Sequence, residues 1–168
     1  MSQQTSPYSS FKLRVNINTS IENAYKAWAT RAGIESWFLR KAIFKDGSGN
    51  DRSGDMPINE NDTYTWLWHG YPDELDEKGK VLKANGKNLF SFTFSMGCPV
   101  TISFYTEQDQ TIVELVESNL PTDEETVRKH FVGDSRGWIF YLANLKSVLE
   151  GGLDLRNKNE KILNVITA

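Results

Sequence analysis

Several features that mark particular protein classes are scarce in this sequence of 168 residues. Its single cysteine, Cys98, cannot form an internal disulfide, and no signal-peptide pattern precedes Phe11, so we expect a reducing, cytoplasmic location. No apolar run approaches the roughly 20 residues that a membrane-spanning helix needs. The 19 basic and 22 acidic residues give a net charge of −3, so nucleic acid is not an expected partner.

Residues that carry catalytic or metal chemistry are equally sparse. The two histidines, His69 and His130, lie outside any HxxxH, HExxH or CxxC pattern, so the sequence predicts no metal site and no cofactor. We interpret both as surface or hydrogen-bonded residues and Cys98 as a structural thiol. GxSxG, phosphate-binding and dinucleotide-binding motifs do not occur. No residue is therefore predicted to be catalytic, and an enzymatic activity has no positive support.

The most periodic segment is a long amphipathic helix from Asp134 to Gly152. Asp134 or Ser135 is its predicted N-cap, and Gly151 supplies the left-handed residue that commonly ends a helix. The apolar residues follow the 3.6-residue helical repeat. They are Trp138, Tyr141, Leu142, Leu145, Val148 and Leu149. We expect this stripe to cover a sheet.

Most of the chain before this helix alternates as strands do. The predicted strands are residues 11–18, 40–46, 63–69, 80–84, 89–96, 100–106 and 111–118. Two short helices follow the first of these strands, and the glycine-, serine- and asparagine-rich segment after Asp46 is predicted to be a mobile loop. The sequence thus predicts an α+β fold, a curved antiparallel sheet of about six to seven strands wrapped around the long helix.

A chain of this length suits one domain, which should bury roughly 70% of its unfolded surface. We expect residues 1–10 to be a flexible lead-in, residues 11–156 to form the domain, and residues 157–168 to be a tail. The tail is an extra strand, a partner-binding segment or a frayed end, and the sequence leaves these alternatives open. Its apolar residues are Ile162, Leu163, Val165 and Ile166.

Three stretches resemble a known superfamily: TSIENAYKAWATRAGIESWF at 19–38, GKVLKANGKNLFSFTF at 79–94 and GWIFYLANLKSVLEGGLDLR at 137–156. They are similar to START-like (SRPBCC) proteins, and within these to the C-terminal-type domain of activators of the heat-shock-protein-90 ATPase. The resemblance covers Phe11 to Arg156. It implies the helix-grip, Bet v-like fold with a hydrophobic cavity, and it places Trp37 and Phe38 at the rim of that cavity.

The candidate site is an aromatic face between the sheet and the long helix. Its members are either the lining of a ligand cavity or packed core. The strand residues are Trp66, Trp68, Phe90, Phe92 and Phe94, facing Trp138 and Tyr141 on the helix. Near the rim, Arg40 is either a contact for an acidic ligand or a solvated residue, and the acidic run 73–77 is either a dock for a basic partner or a solvated loop.

Three functions are compatible with this pattern. The leading hypothesis is non-enzymatic binding of a small hydrophobic or amphipathic molecule, such as a lipid or polyketide-like compound. The alternative is a protein-interaction or co-chaperone role in the stress response, related to activation of the heat-shock-protein-90 ATPase. The third, a polyketide cyclase-like enzyme, requires a titratable group inside the cavity, and the sequence places none there.

Overall fold

The protein forms one curved sheet that wraps around a long C-terminal helix in a computed structural model that describes residues 6–162 and 165. Parts of the predicted lead-in (residues 1–5) and of the predicted tail (163–164 and 166–168) lie outside the described residues. In the described part of the lead-in, the ring of Tyr8 packs edge to face on Phe131, 5.4 Å away. None of the described helices is long and apolar enough to cross a membrane.

The sheet contains eight antiparallel strands in the order β1-β8-β7-β6-β5-β4-β2-β3. The strands are β1 (Ser10–Ile17), β2 (Lys41–Lys45), β3 (Asp51–Arg52), β4 (Thr63–Leu67), β5 (Glu77–Ala84), β6 (Leu89–Phe94), β7 (Cys98–Glu107) and β8 (Gln110–Ser118). Consecutive strands from β4 to β8 pair with each other, as tight hairpin connections require. The predicted antiparallel architecture is confirmed, and β3 is the strand beyond the predicted number.

β3 lies inside the segment that the sequence predicts to be a mobile loop, and this segment is anchored to the domain. Ile58 is almost completely buried, and its N–H bonds to the carbonyl of Ala29 at 2.9 Å. The guanidinium of Arg52 also makes two hydrogen bonds to the buried carboxylate of Asp62, at 2.8 and 3.1 Å. Because most residues of this segment are polar, the sequence did not indicate that it contains a buried residue and an ion pair.

The two short helices after β1 are α1 (Ile21–Ala29) and α2 (Arg31–Trp37). A hydroxyl begins each of them: Ser20 caps α1 by accepting from the N–H of Asn23, and Thr30 caps α2 by accepting from the N–H of Gly33. The indole of Trp37 donates to the carbonyl of Ala27 at 2.9 Å, which locks α2 against α1. Trp28 and Trp37 of these helices are fully buried in the core, so both helices pack against the sheet and the long helix.

The long helix begins further upstream than predicted. A short helical turn, α3 (Glu124–Thr126), starts at Asp123, whose side chain accepts from the N–H of Thr126. It continues through a π-helical segment (Val127–Phe131) into α4 (Val132–Leu149). The prediction of Asp134 or Ser135 as N-cap is therefore wrong, because both lie inside a helix that is already formed. At the other end Gly151 has φ +79°, which confirms the predicted left-handed residue.

The C-terminal half of α4 is held by dense contacts. Leu145 is fully buried, and the buried Asn144 donates to the carbonyl of Trp37 at 2.6 Å and accepts from the N–H of Leu155 at 2.7 Å. Just beyond, Arg156 donates to three main-chain carbonyls in and just after α2 at 2.8–3.0 Å. These hydrogen bonds fix the C-terminal end of α4, and the segment that follows it, to α2.

Candidate functional site

The nine aromatic residues predicted to line a cavity divide into two groups. Four are fully buried, border neither cavity and pack ring against ring in the core; the rings of Trp66 and Phe92, for example, are 5.0 Å apart. These four are Trp37, Trp66, Phe90 and Phe92. The other five surround a cavity of about 120 Å³ between α4 and the sheet. These five are Phe38, Trp68, Phe94, Trp138 and Tyr141.

We call this cavity the inner cleft; its walls also include Gly133, Asp134 and Gly137. An outer groove of about 950 Å³ runs along the outer side of α4 and shares Trp68, Gly137 and Tyr141 with it. The other residues of the outer groove are Tyr71, Leu75, Arg136, Ile139, Phe140, Ala143 and Val165. Because the two spaces share three wall residues, they adjoin.

Helical spacing explains why the space opens at this end of α4. Residues 134, 137, 138 and 141 are separated by three, one and three positions, so they lie on one helical face. Gly137 stands on this face between larger side chains, and a Cβ added there would meet no atom within 4 Å. The same holds for Gly133, one turn earlier. Without side chains at these two positions, this half of the helix leaves open space beside it. In the other half, the side chain of Leu145 is fully buried and leaves no such space.

Asp134 lines the inner cleft, and a second carboxyl group, that of Glu117, lies buried next to it. Glu117 on β8 is fully buried; its Oε2 accepts from the indole Nε1 of Trp138 at 3.0 Å, while its Oε1 has no hydrogen-bond partner among the described residues. Oδ2 of Asp134 is likewise buried without a described hydrogen bond. When both groups are ionised, each can only accept hydrogen bonds, so neither can satisfy the other.

Electrostatics favour one shared proton on this pair. Burial, reinforced by the negative charge of Asp134, raises the pKa of Glu117 to about 8. Burial also raises the pKa of Asp134, although the neighbouring Ser95 and His130 act in the opposite direction. Glu117 therefore keeps its proton at pH 7, and a protonated Glu117 has a donor with which to reach Asp134.

A strained turn and the π-helical segment bring further polar groups to the pair. Ser95 and Met96, between β6 and β7, have φ of 31° and 63°, a region that non-glycine residues rarely adopt. The hydroxyl of Ser95 and Nδ1 of His130 share a hydrogen bond at 2.7 Å, and the same Nδ1 lies 3.7 Å from Oδ2 of Asp134. π-helical turns occur frequently at functional sites, and this one positions His130.

The carboxyl pair was missed at the level of sequence, although one signal for it is present. Alternation along β8 puts Glu117 on the same inward face as Val113 and Leu115, where a charged residue is out of place. For Asp134 the signal was ambiguous, since aspartate before an apolar helical stripe is equally typical of an N-cap. The sequence analysis placed no titratable group in the cavity, whereas in the structure Asp134 lines the inner cleft.

The remaining candidates are engaged in local contacts. Arg40 donates to the carbonyl of Trp68 at 3.1 Å and pairs with Asp73, so part of the acidic run is used within the domain. Burial raises the pKa of the Cys98 thiol, whose sulfur lies 3.5 Å from the carbonyl of Asn119, as suits a structural thiol. Burial lowers the pKa of His69, and the positive charge of Arg156 lowers it further.

An antiparallel sheet closed around a C-terminal helix, with two short helices after the first strand, is the START-like helix-grip fold. Solved structures share it. The chain is similar to the Aha1 dimer from Colwellia psychrerythraea, with a TM-score of 0.64 and 22% identity over 85% of this chain and 97% of that one. It is also similar to the AHSA1-like protein from Aeromonas hydrophila, with a TM-score of 0.58 and 19% identity over 84% and 92%.

A third similar structure is DynU16, a putative protein in the dynemicin biosynthetic locus, with a TM-score of 0.64 and 15% identity. The match covers 89% of this chain and 50% of DynU16, so this chain spans half of that protein. Family models give no match, and neither do curated proteins. At these identities the comparisons confirm the predicted fold, and function has to be argued from the site.

Proposed function

We propose that this domain binds a small amphipathic molecule, with its polar end in the inner cleft and its apolar body along the outer groove. The observation that carries the proposal is the shared wall of Trp68, Gly137 and Tyr141, which joins a narrow space to a wide one. This geometry suits a molecule with a compact head and a longer apolar part.

The two volumes agree with this division. About 120 Å³ in the inner cleft is too small for a whole lipid or polyketide, but it is close to the roughly 150 Å³ in which a buried cavity holds benzene. The outer groove, at about 950 Å³, falls within the roughly 300–1,000 Å³ typical of ligand sites. Its apolar walls contribute affinity at about 0.8 kcal/mol for each methylene removed from water.

The test is a titration of the folded protein with a panel of lipids, flavonoids and polyketides, followed by amide and indole proton NMR. Binding should shift the signals of Trp68, Trp138 and Gly137, and leave those of the fully buried Trp66 nearly unchanged. Trp68→Ala should weaken binding by about tenfold, since truncating a large aromatic contact typically removes one to two kcal/mol. Tyr105→Ala on β7, which does not line either cavity, is the matched control.

A second candidate, a protein-interaction or co-chaperone role, is supported by the exposure of the outer groove. Tyr71, Leu75 and Ile139 are 51%, 59% and 56% exposed, and contiguous exposed apolar side chains often mark a protein interface. Purified heat-shock protein 90 should then bind the domain and hydrolyse ATP faster. Ile139→Glu should abolish both effects if the groove is the interface, and unchanged ATP hydrolysis with the unaltered domain would exclude this role.

The third candidate, a polyketide cyclase-like enzyme, requires a titratable group in the cavity, and the position of Asp134 supports it. Asp134 lines the inner cleft, and carboxyl groups with raised pKa values are suited to moving protons near neutral pH. Incubation with a linear poly-β-ketone should give a cyclised product faster than the uncatalysed reaction, and Asp134→Asn should remove the acceleration. Equal rates with and without the protein would exclude it.

A further inference from the structure

The inner cleft combines aromatic walls with negative charge that has no fixed counter-charge. Within the described part of the chain, no lysine or arginine pairs with Glu117 or Asp134, and the nearest ionisable nitrogen is Nδ1 of His130. That nitrogen is already hydrogen-bonded to Ser95. Glu117 is fully buried, and its Oε1 has the carboxyl group of Asp134 beside it but no fixed donor among the described residues, so the pair is satisfied only while it holds a proton.

Aromatic rings complete the site. Phe38 lies 5.1 Å from Trp138 and 4.6 Å from Tyr141, centroid to centroid, and Phe94 lies 5.2 Å from Trp138. Trp68 closes the outer side, 5.9 Å from Phe38. The faces of such rings carry negative potential and attract cations that come within about 6 Å.

We propose that the inner cleft binds the cationic head of an amphipathic amine or quaternary ammonium compound. Asp134 on its wall supplies the counter-charge, the neighbouring Glu117 adds to it, and the rings supply cation–π contacts. This inference rests on the proposed ligand-binding function and names the chemical class of the ligand. The available volume of about 120 Å³ suits an ammonium group with small substituents. The hydrocarbon chain of such a molecule would lie in the outer groove.

Competing ligand types fit the surroundings less well. The ionisable groups that face the carboxyl pair are Glu77 on β5, Cys98 on β7 and His130 on the π-helical segment, so an anionic head would meet mainly acids. A neutral head would bring no charge opposite to that of Asp134. A metal ion is also disfavoured, because the described residues contain no group of three or more histidine, cysteine, aspartate or glutamate side chains that could hold one.

The proposal predicts that binding is linked to proton release. In the ligand-free protein, Glu117 has a pKa of about 8 and is protonated at neutral pH. A bound cation favours its ionised form, so affinity for a permanently charged ligand should increase from about pH 6 to pH 9 as the proton becomes easier to remove. Because His130 also faces Asp134, the variant Glu117→Gln is used to isolate the effect of Glu117. This variant should lose the increase in affinity with pH that Glu117 causes.

The test uses calorimetric titrations with three compounds of equal chain length: octyltrimethylammonium and octanoate, each below its critical micelle concentration, and 1-octanol below its solubility limit. The quaternary ammonium group does not titrate, so any pH dependence comes from the protein. We expect octyltrimethylammonium to bind at least about tenfold more tightly than 1-octanol. Asp134→Asn should weaken the binding of octyltrimethylammonium by about tenfold and leave that of 1-octanol unchanged.

Glu114→Gln is the matched control, since Glu114 lies on the same strand as Glu117 but pairs with Lys12 at the surface. It should bind all three compounds as the unaltered protein does. If Asp134→Asn fails to fold, Trp68→Leu replaces it: the carboxyl groups remain, one ring face is removed, and the preference for the cation over 1-octanol should fall.

The outcomes separate this inference from the function on which it rests. If none of the three compounds binds, the proposed ligand-binding function fails. If 1-octanol or octanoate binds as tightly as octyltrimethylammonium, ligand binding stands and the assignment of a cationic ligand is refuted. An affinity for the cation that is unaffected by Asp134→Asn, or that is constant with pH, also refutes it.

Discussion

Replacing Glu117 with glutamine should stabilise the protein, and the gain should depend on pH. The pKa of this fully buried carboxyl group is about 8 in the fold against an ordinary value of 4.5. Between these two values the unfolded chain releases the proton while the folded protein keeps it, so stability decreases by about 1.4 kcal/mol per pH unit. At pH 7 the accumulated penalty is roughly 3 kcal/mol. Glutamine is nearly isosteric, remains uncharged and keeps an oxygen that accepts from the indole of Trp138.

Urea unfolding of both proteins across this pH range measures the effect. The difference in unfolding free energy should be near zero at about pH 4.5, roughly 3 kcal/mol in favour of Glu117→Gln at pH 7, and constant above about pH 8. Glu114→Gln is the control, because contacts with Lys12 and Tyr105 outweigh burial and lower the pKa of Glu114, so it should show no gain that increases with pH. A difference independent of pH, or a Glu117→Gln variant less stable than the parent at pH 7, would refute the reasoning.

Other substitutions test the architecture around the site, each by urea unfolding. Leu145→Ala should cost about 2–5 kcal/mol because Leu145 is fully buried in the α4 stripe, and a loss below about 1 kcal/mol would contradict its packing on the sheet. Arg156→Met should lose about 2–4 kcal/mol, since it leaves three carbonyls in and just after α2 without a donor, and amide exchange of α2 should accelerate with it. Gly79→Ala should lose more than about 2 kcal/mol because its Cβ would overlap the hydroxyl of Tyr64, and Tyr64→Phe in the same chain should restore part of the loss.

Much of the architecture was predictable because it depends on local periodicity. Alternation in β1 and β8 and the helical repeat of α4 both reflect one buried face, and a buried face leaves its signature in a single segment. The start of α4 was harder to predict from the sequence, since Asp134 next to Ser135 has the composition of a helix cap. Only the upstream cap at Asp123, with the π-helical segment between, shows that the helix is already running there.

The candidate site was predictable in its residue type but not in its geometry. Trp66 and Trp68 belong to the same alternating face, yet Trp66 is fully buried in the core while Trp68, beyond the end of β4, lines the inner cleft. Which aromatic ring fills the core and which borders a cavity depends on contacts between distant segments. Glu117 could have been noticed on the inward face of β8, but its pairing with Asp134 depends on which residue α4 places next to it.

The two halves of α4 differ in how firmly the surrounding residues hold them. Its C-terminal half is optimised for stability, with Leu145 fully buried and Asn144 hydrogen-bonded on both sides of its amide. Beside its N-terminal half lies Glu117 of β8, whose raised pKa is expected to lower stability by roughly 3 kcal/mol at pH 7, and an adjoining turn holds Ser95 in a rarely adopted backbone conformation. A buried acid is readily replaced by an apolar residue when stability is all that matters. The proposed cationic ligand gives this buried acid beside Asp134 a role, because the charge would be used in binding.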